Sequence, residues 1–108
     1  MKRGEIYLTD FNPARGGEMG KLRPALIVSG EEEVTLLETV MVLPLSTVLL
    51  DNAFPYRFRL EPRAALEKPS DVCINEIRAL SKSRLKEQIA TVNETEYSQI
   101  TKGLCALI

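Results

Sequence analysis

The stretch KRGEIYLTDFNPARGGEMGKLRPALIV, residues 2–28, contains two strand patterns joined by a polar, glycine-rich loop. Residues 6–11 alternate imperfectly between apolar and polar side chains, and the Asn-Pro pair that follows predicts a turn. Pro24 biases Arg23 toward an extended backbone. The apolar run over residues 24–28 predicts a second, buried strand that begins next to Arg23.

Further strand patterns follow this stretch. They cover residues 34–45, 56–60, 72–77 and 88–92. The acidic residues 31–33 predict a solvated turn, and Arg78 is expected at the end of the segment 72–77. Short strands with short connections favour a small, strongly bent barrel or sandwich.

The carboxyl-terminal residues have a helical pattern. Asn93 and Glu96 have the spacing of a helix capping box. The apolar residues at helical spacing are Tyr97, Ile100, Leu104 and Ile108. We therefore expect a terminal helix that covers the β structure with this apolar face.

Length and composition are typical of one globular domain, residues 1–108, with 44% hydrophobic and 27% charged residues. A formal charge of −1 provides no overall attraction to nucleic acid, so a binding patch would have to be local. The charged start and the lack of a long apolar run favour a cytoplasmic protein that does not enter a membrane. Cys73 and Cys105 lack metal-ligand spacing, and we expect buried free thiols.

Histidine is absent from the sequence. This absence excludes Ser-His and Cys-His nucleophile pairs, most zinc sites and the usual histidine acid-base pair for RNA cleavage. Any catalysis has to use Arg, Lys, Asp, Glu, Tyr, Ser, Thr or Cys side chains.

Several basic side chains lie on the glycine-rich loop or at strand ends, where a scaffold usually presents functional groups. The basic residues are Arg15, Lys21, Arg23, Arg57, Arg59, Arg78 and Arg84. Each one alone also fits ordinary surface charge. Guanidiniums beside hydroxyls would suit a phosphodiester, because arginine binds phosphate through paired hydrogen bonds and stabilises the charge of a pentacoordinate transition state.

Three motifs and the terminal helix occur in an order found in one protein family. Residues 2–28 contain its Gly-Glu-Ile-aromatic strand, its glycine loop with a glutamate and its Arg-Pro pair. VLPLST, residues 42–47, is similar to its Pro-x-Thr strand end, and INEIRALSKSRL, residues 74–85, is similar to its Gln-x-Arg segment. Together they resemble the MazF/PemK toxins of type II toxin-antitoxin systems, and the MazF branch more closely.

The resemblance implies a fold and an activity. The fold would be mainly β, a small SH3-like barrel with a carboxyl-terminal helix, assembled as a homodimer. The activity would be a sequence-specific endoribonuclease that needs no metal or cofactor and cuts single-stranded RNA, mainly mRNA. Attack by the 2'-hydroxyl would leave 2',3'-cyclic phosphate and 5'-hydroxyl ends. A cognate antitoxin would neutralise the toxin, and DNA would be contacted only indirectly, through a repressor complex.

The resemblance also implies roles for individual residues. Arg23 of the Arg-Pro pair would stabilise transition-state charge and donate a proton to the leaving oxygen. Ser46 stands where the family has its catalytic threonine, and Thr47 beside it would share that role. Glu18 matches the loop glutamate, which would either accept the 2'-hydroxyl proton or orient Arg23; a solvated loop acid is the alternative.

RNA would be bound by the remaining motif residues and by basic residues near them. These are Arg15, Lys21, Arg57, Arg59, Glu76 and Arg78. Glu76 replaces the family's usual glutamine, and it would either repel RNA phosphate or pair with Arg78. The acid-base pair and loop histidine of the PemK branch are replaced by Cys73, Asn75 and Gly17, so the resemblance disfavours the PemK mechanism.

Two other functions remain open from the sequence. Ser46 and Glu76 would also fit a catalytically impaired relative of the toxins. A non-catalytic protein on the same fold would bind RNA or, like the CcdB-type toxins, gyrase. Tyr56 and Phe58 are placed opposite Arg57 and Arg59 by alternation, so core packing is favoured over stacking on RNA bases.

Overall fold

A computed structural model describes residues 1–11 and 22–108 of the chain. The strands are β1 (Glu5–Asp10), β2 (Leu22–Ile27), β3 (Thr39–Ser46), β4 (Arg57–Leu60), β5 (Ser70–Cys73), β6 (Arg78–Ser81) and β7 (Leu85–Thr91). The helices are α1 (Glu31–Leu36) and α2 (Glu94–Leu107), and two 3-10 turns cover Ile74–Glu76 and Lys82–Arg84. The predicted mainly β fold with a carboxyl-terminal helix is confirmed.

The described strands form one antiparallel sheet in the order β4-β5-β3-β2-β1-β7, with β6 paired to β3. Its central strands are buried on both faces. Leu26 and Leu43 pack into a larger core, whereas Ala25, Ile27 and Val42 pack into a smaller core on the opposite face. Burial on both faces explains why β2 and β3 have continuous apolar sequences rather than alternating ones.

Helix α2 begins at the predicted capping box. The Asn93 side chain accepts a 2.7 Å hydrogen bond from the Glu96 amide, and the Glu96 carboxylate accepts a 2.9 Å bond from the Asn93 amide. Ile100 is fully buried in the larger core. The prediction that Ile108 belongs to the buried face is wrong, because the helix ends at Leu107 and Ile108 is 89% exposed.

The strand predicted over residues 34–45 is wrong in its first part. Residues 31–36 form helix α1 rather than a turn and a strand, and β3 begins only at Thr39. The acidic residues occupy the first helical turn, where negative charge is favourable, and Ser29 donates a 3.0 Å hydrogen bond to Glu33. The Lys82 ammonium also binds the Val34 carbonyl at the end of this helix.

The strand predicted over residues 72–77 is also wrong. The chain leaves β5 at Cys73, forms a 3-10 turn and resumes pairing with β3 at Arg78, which therefore begins β6 rather than ending a strand. Val72 pairs with Leu45 and Arg78 pairs with Val42, so the turn inserts three extra residues opposite β3. This turn carries Glu76.

Three smaller predictions are corrected. β7 begins at Leu85 instead of residue 88, because the exposed polar residues 86–88 mask its alternation. Cys73 is a buried thiol as predicted, but Cys105 is exposed. Phe58 packs against the larger core as expected, whereas Tyr56 precedes β4 and is 55% exposed.

Candidate active site

Arg23, Ser46 and Thr47 line one groove, although Arg23 is far from the other two in sequence. Antiparallel pairing of Ala25 with Pro44 brings the start of β2 beside the end of β3, so Arg23 lies next to Ser46. The groove is lined by Leu22, Arg23, Pro24, Leu45, Ser46, Thr47 and Val48. A cation and two hydroxyls therefore face the same space.

The guanidinium of Arg23 is held from two sides. Its Nη2 donates a 3.2 Å hydrogen bond to the backbone oxygen of Leu45. Its central carbon lies 5.7 Å from the centroid of the Phe11 ring, and the guanidinium of Arg78 lies 5.1 Å from the same ring. These contacts orient two cations on one aromatic side chain and reduce the reorganisation needed to bind an anion.

Ser46 closes a turn at the end of β3. Its Oγ accepts a 3.1 Å hydrogen bond from the Val48 amide, and the Val48 carbonyl lies 3.5 Å from the same Oγ. This local bond restricts the side chain, which compensates for the β-branch that serine lacks relative to threonine. Thr47 is exposed at the tip of the same turn.

Arg57 and Arg59 lie on one face of β4, as their spacing predicts, and both contact Asp71 of β5. Arg59 Nε donates a 2.5 Å hydrogen bond to Asp71 Oδ1, and Arg57 Nη1 lies 3.5 Å from Oδ2. Oδ2 also accepts a 2.8 Å bond from the Leu50 amide. Arg59 makes a second ion pair of 3.0 Å with Asp51. Both arginines therefore already have carboxylate partners.

The carboxylate of Asp71 is fully buried and ionised. Burial by itself raises the pKa of a carboxyl group, but the hydrogen bonds from Arg59 and the Leu50 amide, with the nearby charge of Arg57, lower the pKa of Asp71 below its usual value. Sequence reasoning missed this residue. The sequence signal for it is an acid directly before the strand pattern that begins at Val72, and the structure pairs this acid with Arg59.

Comparison with known proteins identifies the family. The sequence model of the family described as "PemK-like, MazF-like toxin of type II toxin-antitoxin system" matches residues 2–108. The chain belongs to this toxin family. A relative from Staphylococcus epidermidis, "Endoribonuclease MazF", is 29% identical over 105 residues, which cover 96% of this toxin and 88% of the relative.

Solved structures support the same fold. "Mycobacterium tuberculosis toxin MazF-mt6" superposes on this toxin with a TM-score of 0.78 at 19% identity, covering 94% of this chain and 93% of that one. A mycobacterial "Endoribonuclease in complex with its cognate antitoxin" superposes with a TM-score of 0.76 at 22% identity, covering 98% and 92%. These likenesses establish that the toxin has the fold of both structures.

Glu76 and Cys73 lie together at the β5 end of this toxin's site. Burial, and secondarily the Glu76 carboxylate, raise the pKa of the Cys73 thiol to about 11, while the charges of Arg57 and Arg23 act in the opposite direction. Glu76 and Arg78 are both described residues, and no ion pair joins them; Arg78 contacts the Phe11 ring instead. Glu76 is exposed, and its carboxylate is hydrogen-bonded to the Cys73 thiol rather than paired with Arg78.

Several of the predicted residues lie outside the described part of this toxin. Glu18, Arg15 and Lys21, together with Gly17, fall in residues 12–21. Arg84, a described residue, donates a 3.2 Å hydrogen bond to the backbone oxygen of Asp10.

The described residues of this toxin contain neither a cluster of metal-binding side chains nor a membrane-spanning helix. Within residues 1–11 and 22–108, no three Cys, Asp or Glu side chains are grouped so that they could hold a metal ion. Neither helix in those ranges combines the length and the apolar character required to cross a bilayer.

Proposed function

We propose that this toxin is a metal-independent endoribonuclease that cleaves single-stranded RNA in the groove of Arg23, Ser46 and Thr47. Family membership and the relative named as an endoribonuclease support an RNA-cleaving toxin. The observation that carries the assignment to this groove is the convergence of Arg23 with two hydroxyls, with the guanidinium held by the Leu45 carbonyl.

The proposed reaction is attack of a ribose 2'-hydroxyl on the adjacent phosphate. The pentacoordinate transition state carries extra negative charge on its non-bridging oxygens, and the Arg23 guanidinium stabilises that charge. Ser46 and Thr47 donate hydroxyl hydrogen bonds to the same phosphate. The products are a 2',3'-cyclic phosphate and a 5'-hydroxyl end. DNA lacks the attacking group and therefore cannot react.

Proton transfer needs an acceptor for the 2'-hydroxyl proton and a donor for the leaving 5'-oxygen. Glu18 is the proposed acceptor because it matches the family's loop glutamate. Arg23, at the groove, is the proposed donor. Arg78 attracts RNA phosphate beside Phe11, together with Arg15 and Lys21 of the loop.

The proposed partners follow from the family. A cognate antitoxin covers the Arg23 groove with acidic and apolar side chains and competes with RNA, because a cationic groove is complementary to such a chain. The toxin acts in the cytoplasm as a homodimer, and DNA is contacted only through a repressor complex with the antitoxin. Cleavage that continued at saturating cognate antitoxin would contradict this competition.

Cleavage by the purified protein tests the activity directly. The toxin is incubated in EDTA with a mixed-sequence single-stranded RNA and with DNA of the same sequence. We expect RNA fragments with 2',3'-cyclic phosphate and 5'-hydroxyl ends and intact DNA. Intact RNA would overturn the nuclease and favour a non-catalytic binder, whereas dependence on added metal would overturn the proposed mechanism.

A further inference from the structure

The hydroxyl loop, defined here as residues 46–50, is held by two side chains that the proposed chemistry does not use. Arg57 Nη1 donates a 3.2 Å hydrogen bond to the Val48 carbonyl, and Asp71 Oδ2 accepts the 2.8 Å bond from the Leu50 amide. Ser46 Oγ accepts from the Val48 amide within the loop. The loop that carries Thr47 is therefore tied to β4 and β5 at two successive points.

Asp71 is the centre of this arrangement. Its side chain is 1% exposed, and a buried carboxylate stays ionised only where cations and hydrogen-bond donors surround it. Arg59 occupies one carboxylate oxygen, and Arg57 and the Leu50 amide share the other. The buried charge thus holds Arg57 in the position from which it reaches the loop.

The Arg57 contact has a chemical consequence for Ser46. The Val48 carbonyl is the nearby acceptor for the Ser46 hydroxyl proton, at 3.5 Å, but it already accepts the shorter 3.2 Å bond from Arg57. A carbonyl satisfied by a charged donor competes less for a second proton. The bond that Ser46 Oγ donates to this carbonyl is therefore long and weak, and a substrate phosphate oxygen in the groove can accept the hydroxyl hydrogen bond in its place.

We propose that Asp71 and Arg57 are positioning residues for the cleavage reaction, which hold the hydroxyl loop so that Ser46 and Thr47 face the scissile phosphate. This inference rests on the proposed nuclease function. It assigns Arg57 to the loop rather than to direct contact with RNA phosphate. It also gives a role to Asp71, which lies outside the three family motifs of the sequence.

Two single variants separate positioning from phosphate binding. Asp71→Asn keeps an oxygen for the Leu50 amide but removes the charge that holds Arg57. Arg57→Gln replaces the long, charged donor to the Val48 carbonyl by a shorter, neutral amide, while Asp71 remains paired with Arg59 and the Leu50 amide. This second variant decides the question if Asp71→Asn does not fold. Single-turnover cleavage rates are measured with RNA. Affinity is measured with the 2'-fluoro analogue, which has no hydroxyl to attack, over a series of salt concentrations.

For positioning residues we expect a rate loss without a binding loss. Both variants should cleave about tenfold or more slowly, because small misplacements of reacting groups have large effects on rate. Their affinity for the analogue should stay within about twofold, and the salt dependence of binding should not change. Asp71→Asn should slow a Ser46→Ala protein by a smaller factor than it slows the wild type, because part of the effect of Asp71 acts through the Ser46 hydroxyl.

The matched control is Glu96→Gln, which breaks the ion pair of 2.5 Å between Arg63 and Glu96 at helix α2 and retains a capping-box side chain. It should cleave like the wild type. Wild-type rates in a folded Asp71→Asn or in Arg57→Gln would overturn the inference. So would weaker analogue binding by Arg57→Gln with a salt slope reduced by about 0.7, the signature of a lost phosphate contact on a single strand. Wild-type protein that does not cleave RNA would instead overturn the proposed function.

Discussion

Arg23 and Leu45 are joined by a 3.2 Å hydrogen bond from the guanidinium Nη2 to the backbone oxygen, which ties the start of β2 to the end of β3. The bond uses one donor of a planar group that carries five, and within residues 1–11 and 22–108 the other donors have no hydrogen-bond partner. It aims the Arg23 guanidinium at the place where Ser46 and Thr47 present their hydroxyls.

Arg23→Ala should abolish most cleavage. Loss of one preorganised donor to transition-state charge costs about 10²–10³ in rate, and here the charge is lost as well. Arg23→Lys keeps the charge but cannot form two parallel hydrogen bonds, so we expect an intermediate rate. Rates are compared by single-turnover RNA cleavage.

Arg3→Ala is the control for these variants, because Arg3 lies beside Gly30 and outside the groove. It should retain the wild-type rate. Undiminished cleavage by Arg23→Ala would remove Arg23 from the proposed mechanism.

Acid should destabilise the protein through Asp71 and Glu96. Burial raises the pKa of Asp71, but the hydrogen bonds from Arg59 and the Leu50 amide and the charges of Arg59 and Arg57 together lower it below its usual value. The hydrogen bond from Arg63 is the main cause that lowers the pKa of Glu96. Since both carboxyls have lower pKa values folded than unfolded, their stabilisation is present above the unfolded values of about 4 and is lost as pH falls through the folded values. The free energy of unfolding by urea should therefore fall below about pH 5.

Asp71→Asn and Glu96→Gln should each be less stable than the wild type at pH 7 and should lose less stability on acidification. Equal pH dependence in the wild type and both variants would show that neither ion pair is responsible.

Gly103→Ala should destabilise the contact between α2 and the sheet. A Cβ at this position would lie 3.0 Å from Ile74 Cδ1, 3.1 Å from Phe54 Cε2 and 3.2 Å from the Pro55 carbonyl. Overpacking costs about 1–3 kcal/mol, and the Pro55 carbonyl belongs to the backbone and cannot rotate away. We therefore expect this cost to exceed the gain of about 1 kcal/mol from replacing a helical glycine by alanine. We expect a net loss in the free energy of unfolding, measured in urea.

Ser98→Ala at an exposed position of the same helix is the propensity control and should be neutral or slightly stabilising. A gain of about 1 kcal/mol in the free energy of unfolding of Gly103→Ala, as expected from helix propensity alone, would contradict the cost assigned to close packing around Gly103.

The two cysteines should differ in reactivity. The Cys73 thiol is buried, and its pKa of about 11 leaves about one thiolate in a thousand at pH 8. Iodoacetamide should therefore label the native protein once, at the exposed Cys105, and the unfolded protein twice, as read by mass spectrometry. Cys105→Ser should abolish the native label. Equally rapid labelling of Cys73 would contradict its burial.

Local patterns predicted the elements that local forces determine. The apolar run of β2 and the capping box of α2 are short-range signals, and the structure confirms both. The motif order also indicated Arg23, Ser46 and Thr47 as site residues, and the structure places all three in one groove. The predicted turn and strand were wrong at residues 31–36. There, acidic side chains in the first turn and the contacts of Ser29 and Lys82 favour a helix over an extended chain.

The amino-acid sequence by itself determined the fold class, the toxin family and the charged and hydroxyl groups available for chemistry. Tertiary structure alone decided which of those groups meet. The register of β2 against β3 places Arg23 beside Ser46, and the pairing of β4 with β5 places Asp71 opposite Arg59. In the sequence, Arg57 and Arg59 look like free cations. In the structure both form ion pairs with Asp71, because a buried carboxylate is stable only when its charge is neutralised.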